Sequence, residues 1–252
     1  MISVSLLGAG KVAKNFGRII MQNPEVELLQ WFNKNPERLR EYRNQVEVID
    51  TLQDLKRSDV YIVAVKDDAI AELSSEIPFE DQLVAHTSGS VNIHDLDKKL
   101  KRGVFYPLQS FSEDRMLEPT EIPICIEALE KSDYKTLKAL ADTLGFTFYK
   151  ISTEQRQTLH LSAVFVNNFV NQLYRIAHEI SDEKKIDFNI LKPLILETSK
   201  KMLHLSPYQA QTGPAIRDDK KTIKKHLKML NNKEHRKIYE LLTNSIKNTH
   251  GR

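Results

Sequence analysis

The feature that most constrains this chain lies in its first thirteen residues. An apolar run, Ile2–Leu7, leads directly into Gly8-Ala9-Gly10-Lys11-Val12-Ala13, and a helical pattern follows over 11–21. This is G-x-G-x-x-A at a strand-to-helix turn. Gly8 permits the tight turn, Gly10 lets a pyrophosphate approach the backbone, and Ala13 allows close helix–strand packing. The helix start at Lys11 and Val12 offers unpaired N–H groups and a positive dipole end to an anion. The motif alone is common. At this position, followed by a matching second strand, it favours dinucleotide binding over an unrelated glycine turn.

The first half continues the same alternation. Strands are expected at Val26–Phe32, 60–65, Leu83–His86, 103–106, 122–126 and 146–149, with helices at 36–44, 69–76 and 131–144. Gly145 is placed to cap the last of these. Strands alternating with helices predict a mostly parallel α/β sheet with its ligand edge at the strands' carboxyl ends.

After Tyr149 the strand signals stop. Ser152, with Gln155 three residues on, forms a capping box that opens a long helical stretch to about residue 180. Further helices are expected at 187–205, kinked or started late by Pro193, and at 220–230 and 233–247, with a loop at 206–214. The expected organisation is therefore a Rossmann-type sheet domain over 1–150 and an all-helical C-terminal domain over 151–252.

Charge divides at the same place. Residues 1–150 carry 19 Lys and Arg against 24 Asp and Glu, and residues 151–252 carry 18 against 10. The basic residues recur at helical spacing without interleaved aromatics. That pattern fits a solvated helical face, or a wall attracting a small anion, better than nucleic-acid binding. No apolar run reaches membrane-spanning length, the N-terminus lacks a signal-peptide pattern, and the single Cys125 fits a reducing cytoplasm. No metal site is expected.

The end of the second strand reads Trp31-Phe32-Asn33-Lys34-Asn35-Pro36, without the carboxylate that usually holds the ribose hydroxyls of NAD. Asn33 can bond a ribose or phosphate oxygen, while Lys34 and Arg38 can neutralise a 2′-phosphate. NADP(H) is therefore expected over NAD(H). Two later strand ends, Ala64-Val65-Lys66 and His86-Thr87-Ser88-Gly89, supply small residues and free backbone groups suited to a flat nicotinamide ring. Asp67 or Asp68 is expected to cap a helix, and His86 to be a buried strand-end histidine.

Within the long helix, His160, Asn167 or Asn168, Asn171 and His178 fall near one stripe of an otherwise apolar surface. A polar seam between helices and a site wall both account for this stripe. Thr212-Gly213-Pro214 followed by Arg217 reads either as a helix-entry turn with a surface arginine or as a clamp for a carboxylate or phosphate.

The first half, through Leu6–Ala13, the Asn33-Lys34 pair and Val63-Ala64-Val65, resembles the deazaflavin-dependent NADP reductase and pyrroline-carboxylate reductase type of Rossmann domain. Four further segments narrow the likeness: 86–90, 106–111, 160–168 and 212–219. With them, nearly the whole chain resembles bacterial Rossmann-like proteins whose helical C-terminal domain is of unknown function. Tyr106 stands where many members carry histidine, and Asp218 where many carry glycine. The resemblance implies an NADP-linked oxidoreductase and supplies no established substrate; a small carbonyl or imine is the substrate expected here. The resemblance assigns His160 as proton donor, Asn168 as an anchor for substrate or nicotinamide amide, and Arg217 as a substrate-positioning group. It also implies a homodimer through the helical domain. A non-catalytic NADP(H)-binding sensor or scaffold dimer is the alternative from another class.

Overall fold

A computed structural model describes residues 1–112 and 115–250. The chain divides into two compact units, Met1–Asn167 and Asn168–Arg252.

The first unit is built on a sheet of β1 (Ile2–Leu7), β2 (Val26–Phe32), β3 (Glu47–Ile49), β4 (Val60–Val63), β5 (Leu83–His86), β6 (Lys101–Pro107), β7 (Ile124–Ala128) and β8 (Phe148–Lys150). Their spatial order is β3-β2-β1-β4-β5-β6-β7-β8. All neighbours run parallel except β6 and β7. The order reverses between β1 and β4, which opens a crevice at their carboxyl ends. Edge strand β3 was not legible in the sequence, since three residues are too few to show alternation.

Helices α1 (Lys11–Gln22), α2 (Ile70–Glu76) and α3 (Lys131–Thr143) supply the expected crossovers. The stretch at 36–44 is a 3-10 turn, Pro36–Tyr42, capped by the Asn35 side chain. α3 ends as Gly145 predicts, with φ +79°, and the amides of Gly145 and Phe146 bond the carbonyls of Asp142 and Ala141. That paired closure consumes Gly145 and Phe146, so β8 starts later than expected. β7 also starts late, because a 3-10 turn at Pro119–Glu121 takes the amide of Ile122.

One side of the core centres on the edge-to-face trio Phe16, Phe105 and Phe146, with centroids 5.7–6.1 Å apart. Trp31 is wholly buried, and its ring packs where a Cβ on Gly17 would stand 2.3 Å away.

The strands end at Lys150, where the sequence changes character, but the first compact unit continues to Asn167. The reason is α4 (Thr153–Ala163), which opens on the Ser152–Gln155 capping box and buries Arg156 completely. A π-helical turn, Val164–Phe169, follows α4 and contains the division between the units. The π turn changes the angular step per residue, so the α-helical stripe expected from His160 to His178 does not run unbroken.

The second unit contains α5 (Val170–Asp182), α6 (Lys192–Lys201), α7 (Pro207–Ala210), α8 (Lys220–Met229) and α9 (Lys233–His250). Pro193 sits in the first turn of α6, setting a late start rather than a kink. The loop expected at 206–214 contains the short helix α7, started by a Ser206–Gln209 capping box. Among the described residues of this unit only Ile176, Ala215 and His235 are buried.

Candidate active site

A cleft of about 570 Å³ opens where β1, β2, β4 and β5 end, and the glycine turn forms its floor. Gly8 has φ +122°, and a Cβ there would lie 2.2 Å from the carbonyl oxygen of Ala64. No other residue fits this position. Its carbonyl accepts a 2.7 Å bond from the indole Nε1 of Trp31, which ties the turn to the core. Gly10 differs, because the space its Cβ would occupy is empty. As the N-cap of α1 it has no capping side chain, and the first turn carries no acid. The free amides of Lys11, Val12 and Ala13 are thereby left for an anion.

Gly10, Lys11, Val12, Asn33 and Arg38 line one part of the cleft, and Ala64, Val65, Lys66 and Thr87 line another. No carboxylate is among the lining residues. Ala13 is buried beneath the turn, filling the packing role its size predicts. Lys34 lies outside the lining, two-thirds exposed and 3.8 Å from the carboxylate of Glu76. That leaves Arg38 as the cation nearest the role expected of the pair. These features fit a dinucleotide: a cradle without side chain at Gly10, unsatisfied amides, and a cation with no competing acid.

Ser88 and Gly89 do not line the cleft. Ser88 is buried, and its hydroxyl accepts from the amides of Ser90 and Val91 at 3.1 Å. Gly89 is where α4 meets the loop. A Cβ there would lie 2.5 Å from Nδ1 of His160, so only glycine admits that ring. His160 is half-buried, and its Nδ1 lies 3.0 Å from the hydroxyl of Tyr106. Tyr106 is buried; burial, and then the thiol of Cys125, push its pKa up to about 12. The phenol stays protonated at neutral pH, able to donate to a neutral imidazole or accept from an imidazolium.

One turn before His160, Arg156 anchors the helix. Its guanidinium donates to the carbonyls of Ser88 and Val91 at 3.0 and 2.8 Å, and to the carboxylate of Glu127 at 3.2 Å. His86 is the buried strand-end residue the sequence suggested. It accepts from the amide of Ser88, and burial, then Arg156, lower its pKa to about 3. It stays neutral and is not an acid–base group near pH 7. Lys66, rather than Asp67 or Asp68, occupies the cap position of the 3-10 turn Asp67–Ala69, and the carboxylate of Asp67 accepts from the hydroxyl of Ser90.

Two contributors were missed in the sequence. Tyr106, which stands where many members of the resembling family carry histidine, is the hydrogen-bond partner of His160. Arg156 lies four residues before His160, one helical turn away, and that spacing is the signal in the sequence that could have found it. Asn168 and Arg217 belong to the second unit. Asn168 sits in the π turn, and Arg217 borders a cavity of that unit.

The sheet order and glycine turn define the first unit as a Rossmann-type dinucleotide-binding fold. A solved protein from Bacteroides fragilis, named provisionally as an NADP oxidoreductase, is 37% identical, with a TM-score of 0.89 over 100% of this chain and 98% of that one. A domain of unknown function, DUF2520, matches residues 122–246. The chain belongs to the family of the Bacteroides fragilis protein, and the DUF2520 match begins within the sheet unit, ahead of β7. A Thermotoga maritima protein shares the fold at 18% identity and TM-score 0.74, with 98% of each chain covered. An imine reductase from Myxococcus stipitatus, solved with NADP+, shares it at 15% identity and TM-score 0.68, covering 99% of this chain and 96% of that one. No curated protein matches. Among the described residues no helix is long and apolar enough to cross a membrane.

Proposed function

We propose that this chain is an NADP(H)-dependent oxidoreductase acting on a small carbonyl or imine substrate. The observation that carries the reading is the glycine cleft, with open space above Gly10, uncapped amides on α1, and Arg38 unopposed by any lining carboxylate. The names of the Bacteroides fragilis relative and the Myxococcus imine reductase support the same cofactor. When bound, the nicotinamide supplies or takes the hydride.

The chain's own part is to hold, orient and move a proton. Gly8, Gly10 and the α1 amides seat the pyrophosphate; Arg38 and Asn33 take the 2′-phosphate and ribose. Val65, Lys66 and Thr87 border the other end of the cleft. His160 exchanges the proton at Nε2, since Tyr106 occupies Nδ1. Asn168 and Arg217 are assigned to polar groups of the substrate.

Fluorescence titration tests the cofactor. NADPH is expected to bind more tightly than NADH, and Arg38→Ala to cost NADPH on the order of tenfold while sparing NADH. Equal or tighter NADH binding by the parent protein contradicts the assignment. Oxidation of bound NADPH across a panel of carbonyls and imines tests turnover. Tight binding without turnover on the whole panel favours the sensor reading.

A further inference from the structure

The second unit has a cavity of its own, of about 870 Å³, outside the nucleotide cleft. It lies among the start of α7, the loop after it, and the end of α9. Tyr208 and His250 form one flat wall, their rings stacked 4.3 Å apart. Arg217, Asp218 and Lys247 line it as well. The two cations differ in state. Lys247 is neutralised by Asp218, Nζ to Oδ1 at 2.6 Å. Arg217 forms no salt bridge among the described residues; the one carboxylate its charge reaches, Asp219, is hydrogen-bonded to the amide and hydroxyl of Thr222.

Asp218 holds φ +49°, a left-handed conformation that few side chains adopt. It thereby comes within reach of both Lys247 and Lys220, at 2.6 and 3.6 Å. Lys247 and Lys220 also hold its carboxyl below the usual range. The loop therefore supplies an internal carboxylate to one cation of the cavity and leaves the planar fork of the other open. A guanidinium in that state pairs best with a carboxylate from outside.

We infer that this cavity binds the carboxylate group of a small organic acid, with Arg217 as its principal contact and Lys247 held in reserve by Asp218. That the acid is the substrate itself rests on the oxidoreductase reading; that the cavity binds a carboxylate does not.

The test is residue-resolved amide NMR on the full chain, titrated with succinate and, separately, with inorganic phosphate. Succinate is expected to shift the amides of 208–218 and 247–250 saturably. Arg217→Gln, an exposed position, should weaken this on the order of tenfold. Asp218→Asn should tighten it several-fold, because asparagine tolerates the left-handed backbone and releases Lys247. No localised shift, equal affinity in Arg217→Gln, or weaker binding in Asp218→Asn overturns the inference. Tighter binding of phosphate than succinate at the same amides overturns the carboxylate assignment. NADPH fluorescence on the same samples should match the parent in both variants. Failure of the parent to bind NADPH removes the oxidoreductase reading and leaves the anion result standing.

Discussion

The Tyr106 hydroxyl lies 3.0 Å from Nδ1 of His160, across from a glycine that alone leaves room for the imidazole. Neither ring lines the nucleotide cleft. His160→Ala should therefore lower kcat by about a hundredfold or more while NADPH affinity stays nearly constant. Tyr106→Phe keeps the ring packing and removes the hydrogen bond, so its loss in kcat should be smaller, on the order of tenfold. Steady-state kinetics beside fluorescence titration separates the two quantities. Unchanged turnover in His160→Ala removes the residue from the role.

The two glycines of the turn should fail in different ways. Gly8→Ala forces a Cβ against the Ala64 carbonyl at a positive φ, so it should destabilise the fold by at least about 2 kcal/mol in urea unfolding. Gly10→Ala meets open space and should leave stability within about 0.5 kcal/mol of the parent. Its cost should appear in NADPH affinity, because the added methyl enters the cleft. Normal affinity in a folded Gly10→Ala protein would place the pyrophosphate elsewhere.

His86 gives the first unit a defined pH response. Its pKa falls from 6.5 to about 3 on folding, so the unfolded chain binds the extra proton between those values. Stability from this group is complete above pH 6.5 and is lost as pH falls toward 3. The slope it adds is at most about 1.4 kcal/mol per pH unit. His86→Asn keeps an acceptor for the Ser88 amide and removes the titration, so its stability profile should be flatter across that window. A parallel profile would show that His86 does not titrate there.

The second unit leaves Leu194 62% and Leu241 70% exposed, and other apolar side chains of the unit are exposed too. The homodimer expected from the resemblance would cover such side chains. Light scattering should give about twice the chain mass of 29.1 kDa at micromolar concentration. Paired Leu194→Glu and Leu241→Glu substitutions should shift it toward the single-chain mass. A parent protein that is already monomeric contradicts the homodimer.

Much of the fold was set by local chemistry that a sequence displays. The glycine turn, the individual strands and helices, the Gly145 closure and the Ser152 capping box each depend on residues a few positions apart. The strand ends that meet at the cleft were legible because successive strands of a parallel sheet end at one edge, but Lys34, Ser88 and Gly89, expected there, lie outside its lining. What the tertiary structure decided were partnerships between residues remote in sequence. Lys34 turned to Glu76 and left the cleft to Arg38. Arg156 became a buried anchor because carbonyls from a distant loop surround it. Tyr106, near the end of β6, meets His160 of α4 across 54 residues of chain. A side chain's type limits which bonds it can make, and only the packed chain determines which partner is within 3 Å.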